Sequence, residues 1–346
     1  MKTKNERIQD YESLVELHLE RCLLYRDIVS SLFAIKQQSQ SQLELKDFPY
    51  IPVSLFKELE LYSIDKSSIY KIMKSSGTTG QKQSKIFLDK ENASSQIKAL
   101  SALTQKVIGK SRLPMIIFDS ESTVRNRKSF SARTAGIIGY SMFGKDITYA
   151  LDENMNLDSK KLIRFFNKYE GSPTIAYGFT YIIWMMIQMM SQELKDKVAS
   201  YSNDCTLIHG GGWKKIADQE ISKPAFKQVI RRSLGITRVV NYYGMVEQTG
   251  SVFYECSKGY FHTTNYSDVL IRDPVNLREM SDGKKGLIQL FSNLPTSYPG
   301  HIILTEDIGK VIGHNDCECG NMSTYFTVEG RIKNAELRGC SDTYSS

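Results

Sequence analysis

Short apolar runs alternate with segments of helical periodicity along the middle of this 346-residue chain. The runs with strand character lie at 115–120, 205–212, 237–244, 286–292 and 301–307. The helical segments lie at 159–169, 181–194 and 224–234. Strands that alternate with helices are typical of an α/β domain with a largely buried sheet. The sequence therefore predicts the α/β fold class.

The two ends of the chain differ from this alternating region. A helical pattern of leucines runs through the first residues and ends before the prolines of "DFPYIPVSLFK". We therefore predict a helical N-terminal segment at 1–48, a main domain at 49–335 and a mobile C-terminal tail at 336–346. Within the main domain, hairpin-like glycine and Asn-Leu-Pro segments separate the later strands, which predicts a β-rich subregion at about 252–330.

Composition excludes several classes of protein. Hydrophobic residues make up 41% and charged residues 24% of the chain, as in ordinary soluble proteins. The net charge of +7 is mild and spread evenly, so we expect no nucleic-acid partner. The N-terminus lacks an apolar signal region, and the apolar run at 181–190 is about half as long as a membrane span. We expect a cytoplasmic protein with no transmembrane segment.

A loop rich in glycine and hydroxyl groups lies between two strand-like runs, in "KIMKSSGTTGQKQSKIFL". Glycine frees backbone N–H groups, and hydroxyls and lysines add donors, so the loop suits an anion such as phosphate. It is not a Walker A loop, because counting from Gly77 the second glycine would fall at Lys82. A polar surface turn is the alternative for these residues taken alone.

Two later strand-like runs end in residues that suit a ligand. The run at 205–212 ends in three glycines, and "NYYGMVEQTG" extends from the aromatic end of the run at 237–244 to Glu247 and beyond. Ligands of open α/β sheets bind beyond the carboxyl ends of the strands. Either segment alone is more often structural, but their order after the loop favours a binding site.

Four cysteine and histidine residues have the spacing of a metal site. "ECSKGYFH" places Cys256 five residues before His262, and "DCECG" places Cys317 and Cys319 around one residue. Thiolates and an imidazole in a set of four suit tetrahedral Zn²⁺. We predict a structural zinc, although four unrelated reduced residues are the alternative. All six cysteines are expected to be thiols or metal ligands rather than disulfides.

Four motifs, in order, resemble those of adenylate-forming enzymes, the superfamily of acyl-CoA synthetases and luciferases. They are "SSGTTG", "YYGMVEQTG", "LTEDIG" and "EGRIKNAELRG". Further segments resemble the acyl-protein synthetases of bacterial bioluminescence, the LuxE family, which is related to phenylacetate–CoA ligases. They are "YIPVSLFKELELYS", "GGGWKK", "TSYPGHIILTEDIGKV" and "ELRGCSD". The resemblance implies the large N-terminal domain of adenylate-forming enzymes without their usual small C-terminal domain.

The resemblance also implies an activity. ATP and Mg²⁺ would activate a carboxylic acid, expected to be a fatty acid, as an acyl-adenylate. The acyl group would pass to Cys340 as a thioester and then to an acyl reductase of the LuxC type. A carboxylate–CoA ligase or an acyl activator for a carrier protein is one alternative. A non-catalytic nucleotide-binding scaffold for a reductase is another.

Residue roles follow from the same resemblance, position by position. The residues expected to contact nucleotide phosphates are Ser75, Ser76, Gly77, Thr78, Thr79 and Gly80, with Lys82 and Lys85 as counter-charges. The residues expected around adenine and ribose are Gly210, Gly211, Gly212, Tyr243, Gly244, Asp307 and Arg331. Glu247 would hold Mg²⁺, a hard cation that needs oxygen ligands. Some phenylacetate–CoA ligase relatives resemble the arrangement of Cys256, His262, Cys317 and Cys319, whereas the bioluminescence enzymes generally lack it.

The site of the acid is less defined by the sequence. "AYGFTYIIWMMIQMM" contains Tyr177, Phe179 and Trp184 among several methionines. Such a helix is usually core packing, and it is also suited to line an acyl channel because methionine adapts to irregular apolar shapes. Both interpretations stay open at this point.

Overall fold

The computed structural model describes residues 2–33, 43–75, 82–125, 132–202 and 204–332. These residues form two compact units. The discontinuous unit takes its described residues from 2–75, 82–103 and 243–332, and the central unit takes its own from 104–242. The predicted tail at 336–346 lies outside the described residues, and the predicted boundaries at 48 and 335 stay predictions.

The α-helices of the described residues are α1 (Lys4–Arg21), α2 (Leu23–Leu32), α3 (Leu55–Glu58), α4 (Lys90–Ile108), α5 (Ser122–Arg125), α6 (Ala132–Ser141), α7 (Ser159–Lys168), α8 (Thr180–Gln188), α9 (Gln192–Tyr201) and α10 (Lys223–Leu234). The strands are β1 (Ile51–Pro52), β2 (Lys71–Lys74), β3 (Lys85–Leu88), β4 (Leu113–Ser120), β5 (Gly144–Leu151), β6 (Thr174–Phe179), β7 (Cys205–Gly210), β8 (Arg238–Tyr243), β9 (Phe253–Tyr254), β10 (Phe261–His262), β11 (Ser267–Arg272), β12 (Gly286–Ser292), β13 (Ile302–His314) and β14 (Thr324–Arg331). No helix in these ranges is both long enough and apolar enough to cross a membrane.

The central unit is built on a parallel sheet. Its strands run in the order β5-β4-β6-β7-β8, and each neighbouring pair is parallel. Nearly every residue of β4, β6 and β7 is buried, which fits strands covered on both faces. Because the strands are parallel, their carboxyl ends meet at one edge, where Gly210 and Tyr242 are register partners.

The discontinuous unit is built on an antiparallel sheet. Its strands run in the order β10-β14-β13-β12-β11, and β1 pairs in parallel with β13. β13 begins near the predicted 301–307 run but continues to His314, so it pairs with both β12 and β14 over much of its length. β13 is therefore the strand that joins the two halves of this sheet.

Helix α1 covers one side of this antiparallel sheet. Its first turn is closed by a capping box between Thr3 and Glu6. Tyr11 is fully buried, and its ring packs on Phe48 and Phe291 at 6.1 and 5.4 Å between ring centroids. Its hydroxyl donates to Asp268 Oδ2 at 3.0 Å, so the helix is fixed by a buried polar contact as well as by apolar packing.

The sequence predicted one helix at 181–194, and this prediction was wrong in its extent. The chain forms α8 up to Gln188 and then α9, which begins after Ser191. The Ser191 side chain accepts a hydrogen bond from the Leu194 N–H at 3.2 Å, which makes Ser191 an N-cap. The apolar pattern continues across this boundary and predicted a single helix, whereas the Ser191 cap begins a second one.

Candidate active site and metal cluster

The glycine-rich loop lies between β2 and β3, which form an antiparallel hairpin. At the base of the loop, the Ser75 N–H donates to the Ser84 carbonyl at 3.1 Å. The Ser84 N–H donates in return to Ser75 Oγ at 2.8 Å. The loop residues Ser76, Gly77, Thr78, Thr79 and Gly80 lie outside the described residues. Ser75 and Ser84 thus join the two strands on either side of the predicted phosphate loop.

The two lysines after the loop have acidic partners. Lys82 pairs with Glu58, and Lys85 pairs with Glu60 at 2.8 Å. All four side chains are well exposed, so these pairs are weak and open to solvent. A bound phosphate would have to compete with these carboxylates, and the role of both lysines as counter-charges stays a prediction.

Glu247 lies in a one-turn 3₁₀ helix, Val246–Gln248, just after β8. Its side chain is only 6% exposed. Burial raises the pKa of the Glu247 carboxyl, whereas the Ser84 hydroxyl and the Arg331 charge oppose that rise. The next residue anchors the turn, because Gln248 Nε2 donates to the Gly300 carbonyl at 2.9 Å. Glu247 is therefore a buried acid whose negative charge is poorly compensated by protein groups.

Three of the residues predicted around the nucleotide lie together in the discontinuous unit. The Tyr243 hydroxyl donates to Asp307 Oδ2 at 2.7 Å, and Arg331 Nε donates to Asp307 Oδ1 at 3.0 Å. Asp307 and Arg331 are register partners on β13 and β14. Each carboxylate oxygen can accept a further hydrogen bond, so Asp307 can still receive hydroxyl groups from a ligand.

Burial and the neighbouring Asp307 carboxylate raise the pKa of Tyr243 well above its ordinary value. Its phenol therefore stays protonated and acts as the hydrogen-bond donor to Asp307. The ring also packs near Phe253 and Phe261, at 6.1 and 5.9 Å between centroids. Tyr243 thus belongs to an aromatic cluster, and its stacking against a base stays a prediction.

The three predicted adenine-site glycines lie at the carboxyl end of β7 in the central unit. A Cβ atom at Gly210 would meet the Tyr242 ring at 2.5 Å, so no side chain fits there. Gly211 has φ +77°, which favours glycine, and a Cβ at Gly212 would meet nothing within 4 Å. The backbone at Gly212 is therefore open to close approach by a ligand, and the adenine-site role of the three glycines stays a prediction.

The aromatic residues considered for an acyl channel are mainly packing residues. Tyr177 and Phe179 are at most 1% exposed on β6. The Trp184 indole donates to Gln219 Oε1 at 2.9 Å and its ring packs on Trp213 at 5.3 Å. In the central unit these side chains fill the core and the surface beside α8, which favours the packing interpretation.

The structure brings the four predicted metal ligands together. The donor atoms of Cys256, His262, Cys317 and Cys319 all lie within 4.8 Å of one another, and we call this set the Cys/His cluster. Cys256 and Cys317 each begin a tight turn that ends in a glycine of positive φ. These glycines are Gly259 at φ +85° and Gly320 at φ +81°.

Hydrogen bonds orient the histidine of the cluster. His262 Nδ1 lies 3.2 Å from Ser323 Oγ, and His262 Nε2 lies 3.3 Å from Cys319 Sγ. One ring nitrogen thus contacts a hydroxyl while the other faces the thiols, as is usual for a metal-ligating histidine. The described cysteines form no disulfide.

The pKa values of two thiols in the cluster, Cys317 and Cys319, are shifted in opposite directions. Burial raises the pKa of the Cys317 thiol to about 11. The pKa of Cys319 is lowered although burial opposes this, because the Asn321 N–H and the neighbouring thiols stabilise its thiolate. Three cysteine sulfurs and an imidazole form a donor set that a soft divalent cation would complete.

Tyr298 has no role predicted from the sequence, although it lies within the family-like segment "TSYPGHIILTEDIGKV". This tyrosine is fully buried, and its hydroxyl donates to the Glu247 carbonyl at 2.9 Å. The family-like segment was the available signal, but nothing in it indicated a contact with Glu247. Cys340, the predicted acyl acceptor, lies outside the described residues.

Comparison with known proteins gives a match over nearly the whole chain. The model of the family described as "Acyl-protein synthetase, LuxE" matches residues 5–346. A long-chain-fatty-acid–luciferin-component ligase of Vibrio harveyi is 23% identical over 312 residues, covering 86% of this chain and 77% of that protein. The ligase of the same name from Aliivibrio fischeri is 23% identical over 293 residues, covering 81% of this chain and 73% of that protein.

A solved structure shows the same fold. A 2-hydroxyisobutyryl-CoA ligase, crystallised in an open conformation with 2-HIB-AMP and CoA, superposes with a TM-score of 0.71. It is 15% identical, and the alignment covers 94% of this chain and 74% of that one. The predicted α/β fold of adenylate-forming ligases is confirmed.

Proposed function

The chain belongs to the LuxE family of acyl-protein synthetases, which are ligases, and on that premise we propose that it activates a carboxylic acid with ATP. The acid carboxylate attacks the α-phosphorus, and the bond to the bridging oxygen breaks to release pyrophosphate. The product is an acyl-adenylate. Both named relatives are ligases of long-chain fatty acids, so a fatty acid is the proposed substrate class.

The observation that carries this proposal is the arrangement around Asp307 and Glu247. Tyr243 and Arg331 hold both oxygens of Asp307, which leaves the carboxylate oriented to accept the two hydroxyls of a ribose. Glu247 follows Tyr243 by four residues and presents a second, buried carboxyl group. One carboxylate for the sugar and one for a cation form a set that suits a metal–nucleotide complex.

The Glu247 carboxyl fits the Mg²⁺ that the family implies. It is buried, its pKa is raised by that burial, and a hard cation is the partner that would favour its ionised form. Bound Mg²⁺ would neutralise phosphate charge as pyrophosphate leaves. Arg331 would add a fixed positive charge beside the ribose and phosphate. Alignment and charge neutralisation supply most of the catalysis in such a displacement.

We propose Cys340 as the acceptor of the activated acyl group. Its thiolate attacks the acyl carbonyl, AMP leaves, and the acyl group is then a thioester. A thiolate is a strong nucleophile near neutral pH, and a thioester stays activated for a further transfer. The proposed recipient is an acyl reductase of the LuxC type.

We propose that the Cys/His cluster holds a structural Zn²⁺. The four donors lie close enough to share one ion, and each cysteine turn has a glycine that permits its geometry. Four protein ligands leave no open position, so the ion would stabilise the fold rather than take part in the reaction. Lys258 and Glu318, paired at 2.6 Å, add a weak link between the two turns.

The test of this function has two steps. Pyrophosphate exchange is measured with short, aromatic and long-chain acids, and we expect exchange that depends on a long-chain acid. Labelled acid is then incubated with ATP and the protein, and we expect a label on the chain that resists acid and is released by hydroxylamine.

Cys340→Ser should keep pyrophosphate exchange but carry no hydroxylamine-labile label. Cys22→Ala is the matched control, because burial raises the pKa of the Cys22 thiol and makes it a poor nucleophile. Equal labelling of Cys340→Ser and the wild type would contradict the acceptor role. Turnover of coenzyme A would favour a carboxylate–CoA ligase instead, and absence of exchange with every acid would favour a scaffold.

A further inference from the structure

The peptide of Glu247 is held by a residue far away in the sequence. The Tyr298 hydroxyl donates to the Glu247 carbonyl oxygen at 2.9 Å. It also accepts a hydrogen bond from Gln96 Nε2 at 3.3 Å, so its orientation is fixed from both sides. Tyr298 is fully buried, and burial raises its pKa far above the ordinary value for tyrosine, so the phenol keeps its proton. The carbonyl of Glu247 therefore has a permanent donor.

Ser297, the residue before Tyr298, contacts the β2–β3 hairpin, which carries the predicted phosphate loop. Ser297 Oγ lies 2.8 Å from the Phe87 carbonyl of β3 and 2.9 Å from Asn92 Oδ1. Ser297 is fully buried, so these contacts are shielded from water. Ser297 thus binds β3, and its neighbour Tyr298 binds the turn that carries Glu247.

Backbone geometry makes the contact with Glu247 unusually close. A Cβ atom at Gly300 would meet the Glu247 carbonyl at 2.6 Å and the Tyr298 ring at 2.3 Å. Only glycine fits between the ring and the carbonyl. The segment from Ser297 to Gly300 therefore packs directly on the peptide of Glu247.

A third contact joins the hairpin to the Glu247 side chain. The Ser84 hydroxyl, fully buried at the base of the loop, favours the ionised form of Glu247. It makes no hydrogen bond of good geometry with any described residue, so its effect on the carboxylate is a looser contact. Ser84, just before β3, is thus a neighbour of the Glu247 carboxylate. Ser297 binds the backbone of β3 at Phe87, and Tyr298 binds the backbone of Glu247.

We propose that Ser297 and Tyr298 form a positioning brace that sets Glu247 relative to the hairpin of β2 and β3. This inference rests on the proposed function, because it assigns the brace to the affinity for metal–ATP. A cation shared by a carboxylate and a triphosphate tolerates only small errors in ligand position. Tyr298 is a positioning residue, since it acts through the Glu247 backbone.

The test is Tyr298→Phe, which removes one hydroxyl and leaves the ring. Tyr11→Phe is the matched control, because Tyr11 is also fully buried in the same unit and donates to a carboxylate away from Glu247. Calorimetry measures the affinity for MgATP without acid. Pyrophosphate exchange measures the Mg²⁺ concentration for half-maximal rate and the KM for the acid. Melting temperatures report the general cost of losing a buried hydroxyl.

We expect the MgATP Kd and the Mg²⁺ requirement of Tyr298→Phe to rise roughly three- to tenfold, as for one lost hydrogen bond. The KM for the acid should stay within about twofold of the wild type, and Tyr11→Phe should melt lower without a change in MgATP affinity. Ser297→Ala, which removes only the contacts of Ser297, should shift MgATP affinity in the same direction and serves if Tyr298→Phe does not fold.

Several results would overturn the brace. One is an MgATP affinity in Tyr298→Phe equal to that of the wild type. If Tyr298→Phe does not fold, the same result in Ser297→Ala would overturn the brace. Another is an equal loss of affinity in Tyr11→Phe, which would show a general packing effect. Either result leaves the proposed function intact, because the wild type still binds and exchanges. A wild type that fails to bind MgATP would overturn the proposed function and the brace together.

Discussion

Glu247 and the Cys/His cluster both suit a cation, but the protein builds them by opposite means. The cluster gathers four donors on two tight turns, with Cys256 and Cys319 partly exposed. Glu247 is a single carboxyl group, buried and held by its backbone. A complete donor set stabilises the fold when its metal binds, whereas an uncompensated buried acid costs stability until a ligand arrives. On the functions proposed above, the comparison separates a site that serves folding from one that serves binding and catalysis.

The largest expected effect is a loss of pyrophosphate exchange when Glu247 is substituted. Glu247→Gln should lower acid-dependent pyrophosphate exchange on the order of a hundredfold or more, because a neutral amide cannot offset phosphate charge through a metal. Exchange assays at saturating Mg²⁺ measure this loss, and circular dichroism checks that the fold survives. The exposed Glu170→Gln serves as control. Near-normal exchange in Glu247→Gln would remove Glu247 from the active site and break the comparison.

The next effect concerns the Cys/His cluster. Protein purified without chelator should contain one zinc per chain, and Cys319→Ser should contain little and melt several degrees lower, since metal affinity is folding free energy. Elemental analysis and thermal melts measure both quantities. Cys205→Ser, a buried cysteine outside the cluster, should keep its zinc.

A wild type with almost no zinc, and with a melting temperature that chelator does not change, would contradict the metal assignment. A Cys319→Ser variant that loses exchange activity while it keeps its melting temperature would instead move the cluster to the catalytic side of the comparison.

The smallest expected effect is a change in melting temperature with pH, and its direction distinguishes a binding role of Glu247 from a structural one. Because burial raises the pKa of Glu247, its contribution to stability is full below the unfolded pKa of 4.5 and is lost as pH rises through the folded pKa. Above that pH the ionised group destabilises the protein. Without Mg²⁺ or nucleotide, Glu247→Gln should therefore melt slightly higher than the wild type at pH 8, and the difference should shrink toward pH 5. A variant that melts lower at pH 8 would show that Glu247 is structural.

The Cys/His cluster could be predicted from the sequence because each half of it is local. Cys317 and Cys319 are separated by one residue and followed by Gly320, so one turn presents both thiols. The strands were predictable for the same reason, since an apolar run such as 286–292 matches β12. Such local patterns can be recognised from the sequence alone. The structure was needed only to show that the half with Cys256 and His262 meets the half with Cys317 and Cys319.

The brace could not be predicted, because its bonds are not local and one partner is backbone. Tyr298 and Glu247 are 51 residues apart, and the acceptor is a carbonyl, which every residue possesses. The partners of Lys82 and Lys85 were missed similarly, since Glu58 and Glu60 precede them by 24 and 25 residues. Neither contact leaves a pattern of residue types at a recognisable spacing.

Strand β13 has a consequence for how the two sites can change. Asp307 lies in its middle, and His314, at its end, comes just before the cluster residue Cys317. The seven steps from 307 to 314 span roughly 23 Å at about 3.3 Å per residue, more than twice the Debye length of about 8 Å in physiological salt. A cation gained or lost at the far end of β13 leaves the potential at Asp307 nearly unchanged. On the proposed functions, the two sites can therefore change separately in evolution: substitutions that remove a metal from the Cys/His cluster, with compensation in packing, should leave the affinity for nucleotide unchanged.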